Sequence, residues 1–276
     1  MKKILTIVLS SALLVGVLTA AANSQEEKKV LRIGMSCNGA PYCWTQTTDE
    51  HGAVKIAYSD GEYAYGNDVI VAKKLAEALD MKLEIHKIEW QGLPPAIVSG
   101  KIDAAIAAMS ITAKRKESVD FTIPYYYARV VGLVRKNSPQ ANAKCLADLS
   151  GSRVTTQLNT LWYELIDQIP NAVKLPPIDA TPAMIIALQS GKCDVLIVDI
   201  PTALSAAHVN PELMMVEFEE GKGFQTSSEH VDLGIAVRKG NKELVEAMNS
   251  VLATMTDEDR AAIMDEAIRT QPISKL

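Results

Sequence analysis

The 276-residue chain is 48% hydrophobic, 22% charged and 5% aromatic, with 15 Gly and 12 Pro. This excludes collagen-like and low-complexity chains and leaves enough length for one large or two modest cores. A formal charge of −5 and a pI of about 5.5 give no basic footprint for nucleic acid. The four His (51, 86, 208, 230) form no H-x-x-x-H pair and the four Cys no C-x-x-C pair, so no structural zinc and no cofactor is expected.

The chain opens with Met1-Lys2-Lys3, then an apolar run over 4–18 broken only by Thr6, Ser10, Ser11 and Gly16. Small residues follow, Ala20-Ala21-Ala22-Asn23-Ser24, and then a polar Gln25-Glu26-Glu27-Lys28-Lys29. That order is the grammar of a secretory signal peptide over 1–24, cleaved after Ala22 or Ser24. The alternative is an uncleaved anchor, since the run approaches the roughly 18–20 residues a span needs. Small residues where a span would end favour cleavage. No lipobox cysteine stands there, so the expected destination is periplasmic or extracytoplasmic, without a lipid anchor. Losing two lysines and no acid with the leader takes the charge from −5 to −7. Export makes Cys37, Cys43, Cys145 and Cys193 an even set in a disulfide-permissive compartment. Cys37 and Cys43 are near enough to clip a local loop, and Cys145 would pair with Cys193 by default. Free, buried thiols are the alternative.

Strands are expected over 30–35, 82–88, 102–109, 130–135, 153–156, 195–198 and 233–238. Helices are expected over 68–79, 93–99, 160–169, 241–255 and 257–268. Alternation of the two argues for α/β architecture, with mostly parallel sheets flanked by helices. One stretch recurs: Ala96-Ile97-Val98-Ser99-Gly100-Lys101-Ile102-Asp103 reads like Ala187-Leu188-Gln189-Ser190-Gly191-Lys192-Cys193-Asp194. Each is a helix end, a glycine stop and a buried strand. Two similar lobes, each with its own sheet, account for the echo; chance recurrence of a common helix–strand turn is the alternative.

In open α/β sheets ligands bind beyond the carboxyl ends of strands. Here 102–109 runs into Ser110-Ile111-Thr112-Ala113-Lys114-Arg115. Strand 153–156 runs into Gln157-Leu158-Asn159-Thr160, and 195–198 delivers Asp199 before Pro201. Together these suit a zwitterion. Arg115 can fork two hydrogen bonds onto an α-carboxylate. Ser110 and the amides near Thr160 add donors, and Asp199 takes the α-ammonium. The bland alternatives are that Lys114-Arg115-Lys116 is a solvated turn and that Asp199 caps the following helix.

Trp90-Gln91-Gly92-Leu93-Pro94-Pro95-Ala96, Ser99-Gly100-Lys101-Ile102-Asp103, Met109-Ser110-Ile111-Thr112-Ala113-Lys114-Arg115-Lys116, Val119-Asp120-Phe121-Thr122 and 194–199 carry a resemblance. The chain resembles the family 3 (polar amino-acid) solute-binding proteins of ABC importers, with the type II periplasmic binding-protein fold, from about residue 30 to 268. The resemblance implies a two-lobed flytrap: lobe 1 over 25–124 plus 234–276, lobe 2 over 130–228, and hinges at 125–129 and 229–233. It implies that Arg115 clamps the carboxylate, Ser110 and the Ala108 backbone touch the ligand, Thr160 supplies an amide and Asp199 holds the ammonium. The implied partners are a free amino acid and a membrane permease, and the expected state is a monomer. The chain departs from the family where the ligand side chain would sit. An acid and an aromatic are replaced by Ser36 and Gly39, and a second aromatic by Asn67. Trp44, Gln46, Tyr42, Tyr63 and Tyr65, in a long insert over 41–65, are candidates to rebuild that wall; a self-packed surface loop is the alternative. Loss of the acid at Ser36 leans toward an uncharged amino acid. Two rivals share the scaffold: a cyclohexadienyl-type dehydratase, for which Glu62 and Glu164 are the nameable acids, and a sensor module serving a receptor.

Overall fold

The computed structural model describes residues 28–272; the signal-peptide expectation lies outside them. Two five-stranded sheets organise the chain. The first has the order Lys82–Lys87, Val30–Met35, Ala104–Ala105, Ala236–Arg238, Val119–Phe121. The second has the order Val173–Lys174, Arg153–Thr155, Val195–Asp199, Val130–Arg135, Leu213–Val216. Strand directions follow one rule in both. The first three strands run parallel, and the fourth runs antiparallel to both its neighbours. The fourth strand is in each case the one that arrives from the other lobe. Val130–Arg135 follows Tyr126–Tyr127, and Ala236–Arg238 follows Asp232–Leu233. Those two short strands pair with each other, Asp232 opposite Tyr127 and Leu233 opposite Tyr126. The expected hinge segments are therefore only partly strand, 126–127 within 125–129 and 232–233 at the end of 229–233, and Ser228–Val231 is a helical turn.

The repeated sequence has a repeated structure. The helix Leu93–Ser99 stops at Gly100 (φ 76°), and Gly191 (φ 73°) follows the helix Thr181–Gln189. Each glycine takes the left-handed conformation that ends a helix at little cost. The acid three residues on then braces the sheet. Asp103 accepts from Arg32 Nε and Nη2 at 3.0 and 2.6 Å and from the Arg32 backbone N–H at 2.9 Å. Asp194 accepts from Arg153 Nε and Nη2 at 3.0 and 2.7 Å and from the Arg153 N–H at 3.0 Å. Arg32 and Arg153 hold the same position, in the second strand of their sheets.

The apolar stripe of helix Asn67–Ala78 (Val69, Ala72, Leu75) packs on one face of the first sheet, together with Met248, Leu252 and Met264 from the two C-terminal helices, Lys242–Leu252 and Asp257–Thr270. Leu93, Ile97 and Ile102 cover the other face. The second sheet is covered by Met184 and Leu188 on one side and by Leu165, Ile166 and Ile169 on the other. Two expected elements shorten. Strand 102–109 is reduced to Ala104–Ala105, because Ala108 turns to φ 47° and gives its N–H to the Tyr125 hydroxyl rather than to a neighbouring strand. Helix 160–169 becomes a single turn, Trp162–Leu165, and a 3₁₀ turn, Ile166–Gln168, ahead of Pro170.

The insert is a small sheet of its own, ordered Asn38–Gly39, Cys43–Gln46, Tyr63–Tyr65, Val54–Lys55. All four cysteines are free thiols, which corrects the expected bridges. Cys37 and Cys43 are buried with their sulfurs 3.4 Å apart, in contact but unbonded. Cys193 lies in the core of the second sheet, while Cys145 sits at the start of the turn Leu146–Leu149, so the two are in different packing environments. Among the described residues no helix is long and apolar enough to cross a membrane.

Burial pushes Asp103 up, but the bonds from Arg32 outweigh it and leave its pKa lowered; Asp194 is lowered chiefly by Arg153. A carboxyl whose folded pKa lies below its unfolded value of about 3.9 stabilises the fold above that pH and loses the contribution as pH falls through the folded value. D103N and D194N are each expected to melt below wild type at neutral pH. The gap should narrow as pH falls below the unfolded value of about 3.9 and close only once the folded wild-type acids are protonated too. Thermal melts across that range check both statements.

Candidate functional site

Four strand ends open into one crevice between the sheets. Val30–Met35 leads to Ser36, Asn38, Gly39, Ala40 and Tyr42; Ala104–Ala105 leads to Ala107, Ala108 and Ser110; Arg153–Thr155 leads to Gln157 and Thr160; Val195–Asp199 ends on Asp199 itself. Trp90, Trp162 and Met184 wall it, and about 60 Å³ remains free inside. It is the carboxyl-end crevice that an open α/β sheet offers.

Arg115 belongs to a one-turn helix, Ala113–Lys116, capped by Thr112, whose hydroxyl accepts from the Arg115 N–H at 3.1 Å. Its guanidinium turns inward. Nη1 donates to the Ser110 carbonyl at 2.7 Å and Nη2 to the Asn159 carbonyl, on the other lobe, at 3.0 Å. The guanidinium stacks over the Trp90 ring at 5.0 Å, and Trp90 is itself held by Nε1–H to the Ala107 carbonyl at 3.1 Å. Burial lowers the Arg115 pKa to about 10, which leaves it fully charged at neutral pH.

Asp199 stands across the crevice and is fully buried. Oδ1 accepts from the Thr202 N–H at 2.9 Å and so caps the helix Ile200–Val209. Oδ2 accepts from the Tyr42 hydroxyl of the other lobe. Desolvation raises the Asp199 pKa, and burial followed by the Asp199 charge raises that of Tyr42. The capping role that the sequence offered for Asp199 is thus taken by Oδ1, while Oδ2 faces the crevice and is bonded to Tyr42.

A second buried acid, Asp68, lines the same crevice. It sits in the first turn of helix Asn67–Ala78, entered through Gly66 at φ 131°. A Cβ on Gly66 would lie 2.4 Å from the Tyr42 carbonyl oxygen, so glycine is what lets these segments meet. Asp68 Oδ1 accepts from the Tyr125 hydroxyl at 2.9 Å and from Asn67 Nδ2 at 3.1 Å. Oδ2 is buried with no partner. Desolvation lifts its pKa to about 7.

Of the residues expected at the site, Arg115, Asp199, Ser110, Ala108, Thr160, Gln157 and Ser36 line the crevice. Ser110 faces it chiefly as the carbonyl that seats Arg115, and the Ala108 N–H is taken by Tyr125. Five expected residues, Tyr63 among them, do not line it. Trp44 and Tyr65 pack edge to face at 5.4 Å around Ala267 of the C-terminal helix, and Tyr65 donates to Glu266 at 2.5 Å. Gln46 is held by Trp44 Nε1–H at 3.0 Å. Asn67 is turned to Asp68. The insert therefore contributes Tyr42 to the crevice and buries Trp44 and Tyr65 against the first lobe, while Tyr58 is exposed. The acids considered for catalysis are elsewhere as well: Glu62 pairs with Ser59 and Lys87, and Glu164 is exposed. Tyr42, a candidate for the pocket wall, does line the crevice, together with Asp68, Trp90 and Trp162, which were not expected there. For Asp68 the available signal was an acid right after a glycine and a polar residue, followed at helical spacing by apolar positions. Among the described residues no group of three or more His, Cys, Asp or Glu is placed to hold a metal.

Residues 31–268 match the bacterial extracellular solute-binding proteins, family 3. The chain belongs to that family. Its sequence is 28% identical over 201 residues to the L-cystine-binding protein TcyJ of Escherichia coli K12, covering 73% of each chain. It is 31% identical over 206 residues to a probable histidine-binding protein of Campylobacter jejuni, covering 74% of each. Among solved structures it resembles an amino acid ABC transporter substrate-binding protein from Streptococcus pneumoniae bound to L-arginine, with 26% identity and a TM-score of 0.73 over 87% of this chain and 94% of that one. The family 3 architecture is two-lobed, and the paired short strands Tyr126–Tyr127 and Asp232–Leu233 are where this chain passes between its sheets.

The two functions of Asp199 separate by substitution. D199A removes the cap and is expected to cost about 1 kcal/mol of stability. D199N keeps an oxygen for the Thr202 N–H and removes a buried charge, so it should melt at or above the wild-type temperature. Thermal unfolding of both variants checks this.

Proposed function

We propose that the protein is an extracytoplasmic amino-acid-binding protein that delivers its ligand to an ABC permease by flytrap closure and performs no chemistry. The observation that carries this reading is a half-buried guanidinium, Arg115, and a buried carboxylate, Asp199, lining one crevice from opposite lobes. Among the described residues neither is in an ion pair. A zwitterion supplies the missing charge to each: its α-carboxylate to Arg115 and its α-ammonium to Asp199. Membership of family 3 and the amino-acid-binding names of its relatives support the same reading.

The moving bodies in this reading are 25–124 plus 234–276 and 130–228, turning about 125–129 and 229–233. A ligand that touches both shifts the open–closed population toward the closed form. The working protein is a monomer, released outside the cytoplasm by cleavage of its leader. The ligand side chain is uncharged. This rests on Ser36 and Gly39, which line the crevice where the family carries an acid and an aromatic.

A thermal-shift screen over the amino acids, including L-cystine, is expected to give at least one clear stabilisation. Against that amino acid R115A should lose about 2–5 kcal/mol of affinity in calorimetric titration. Unchanged affinity would refute the assignment of Arg115, and absence of any stabilising amino acid would refute the function.

A further inference from the structure

Asp68 has no task in the scheme above, yet it is a fully buried acid on the wall of the crevice. Its two oxygens are in different situations. Oδ1 already receives two donors, the Tyr125 hydroxyl and Asn67 Nδ2. Oδ2 receives none and is the one buried side-chain polar atom left without a partner among the described residues. An unpartnered buried polar atom costs free energy that a bound molecule can return.

Charge decides what Oδ2 offers. Among the described residues lining the crevice the one cation is Arg115. The groups packed around Asp68 are Tyr125 at the start of the first hinge segment, Cys43 of the insert sheet and Asp199 of the other lobe, with Tyr42 accepting the Asp68 N–H at its carbonyl. Behind Tyr125, Arg260 of the C-terminal helix donates to the Tyr125 carbonyl at 3.1 Å. A zwitterion with an uncharged side chain satisfies Arg115 and Asp199 and leaves nothing positive for a third ion. An ionised Asp68 would then be an unpaired buried charge.

We infer that Asp68 enters the complex as a neutral carboxyl, its proton on Oδ2, and donates that hydrogen to an oxygen of an uncharged amino acid. Oδ2 is the proton's place because Oδ1 is already an acceptor twice over. Asp68 is in this way a specificity-determining residue: it selects for an oxygen acceptor and against a second positive charge. Burial supports the assignment, since it holds the free protein's Asp68 near pH 7, so little is needed to complete its protonation. The inference rests on the amino-acid-binding reading and makes that binding proton-coupled above neutrality.

The test is calorimetric titration of the mature protein with L-alanine, L-serine, L-glutamine and L-arginine at about pH 6 and about pH 8.5. At the higher pH, Tris and borate are compared as buffers of different ionisation enthalpy. An uncharged probe is expected to bind roughly thirty-fold more weakly at the higher pH, with close to one proton taken up per complex. D68N, which presents an N–H where Asp68 presents its O–H, should bind about equally at both pH values with that proton uptake gone; D68A should bind weakly at both. The wild-type proton count stands by itself if a variant fails to fold. Tighter binding at the higher pH, proton release, or preference for L-arginine would overturn the inference and assign Asp68 as an ionised partner for a cation. Equal binding at both pH values without proton uptake would overturn it too. If none of the four probes and no other amino acid binds wild type, the function itself fails and the inference with it.

Discussion

Two charges of opposite sign are held inside one closed space without meeting. Arg115 rests on two carbonyl oxygens and an indole face, and Asp199 on a helix N–H and a tyrosine hydroxyl. Dipoles of this kind keep a buried ion tolerable but do not neutralise it. The rest of the architecture serves that arrangement. Each charge is fixed at the end of a strand or in a capped turn, so neither can relax toward the other. Each is also bonded to the opposite lobe, Arg115 to Asn159 and Asp199 to Tyr42, so both sense whether the crevice is closed.

The braces explain how such a site is kept in register. In both sheets an arginine on the second strand binds the acid that leads into the third, through two side-chain bonds and one backbone bond. Each lobe is thereby locked internally, while the connection between them is two strands of two residues each. Bending at these two short strands is what the proposed flytrap closure requires.

Much of this was readable from the residues. The alternation of strand and helix, the helix Asn67–Ala78, the glycine stops and the placement of Arg115 and Asp199 on one crevice all rest on local signals: periodicity, capping and a carboxylate delivered by an apolar strand. What escaped depends on tertiary contact. Trp44 and Tyr65 look like pocket aromatics in sequence, but the C-terminal helix, some two hundred residues later, supplies Ala267 and Glu266 to take them up. Asp68 looks like an ordinary first-turn acid at a helix N-terminus. Only the approach of Tyr125 and the Tyr42 segment turns it into a buried one. The strand expected over 102–109 ends early for a similar reason: the Ala108 N–H is claimed by a side chain that sequence periodicity does not register.

The route of the chain through the two sheets has a consequence for how the molecule assembles. The second sheet draws its strands from a single run, Val130 to Val216, and can form as soon as that run is available. The first sheet cannot. Its fourth strand, Ala236–Arg238, lies between Ala104–Ala105 and Val119–Phe121, so those two never touch edge to edge without it. A nascent polypeptide lacking its last forty residues would hold an open seam through the middle of that sheet. The first sheet is therefore continuous only once the chain has returned from the second lobe with residues 236–238.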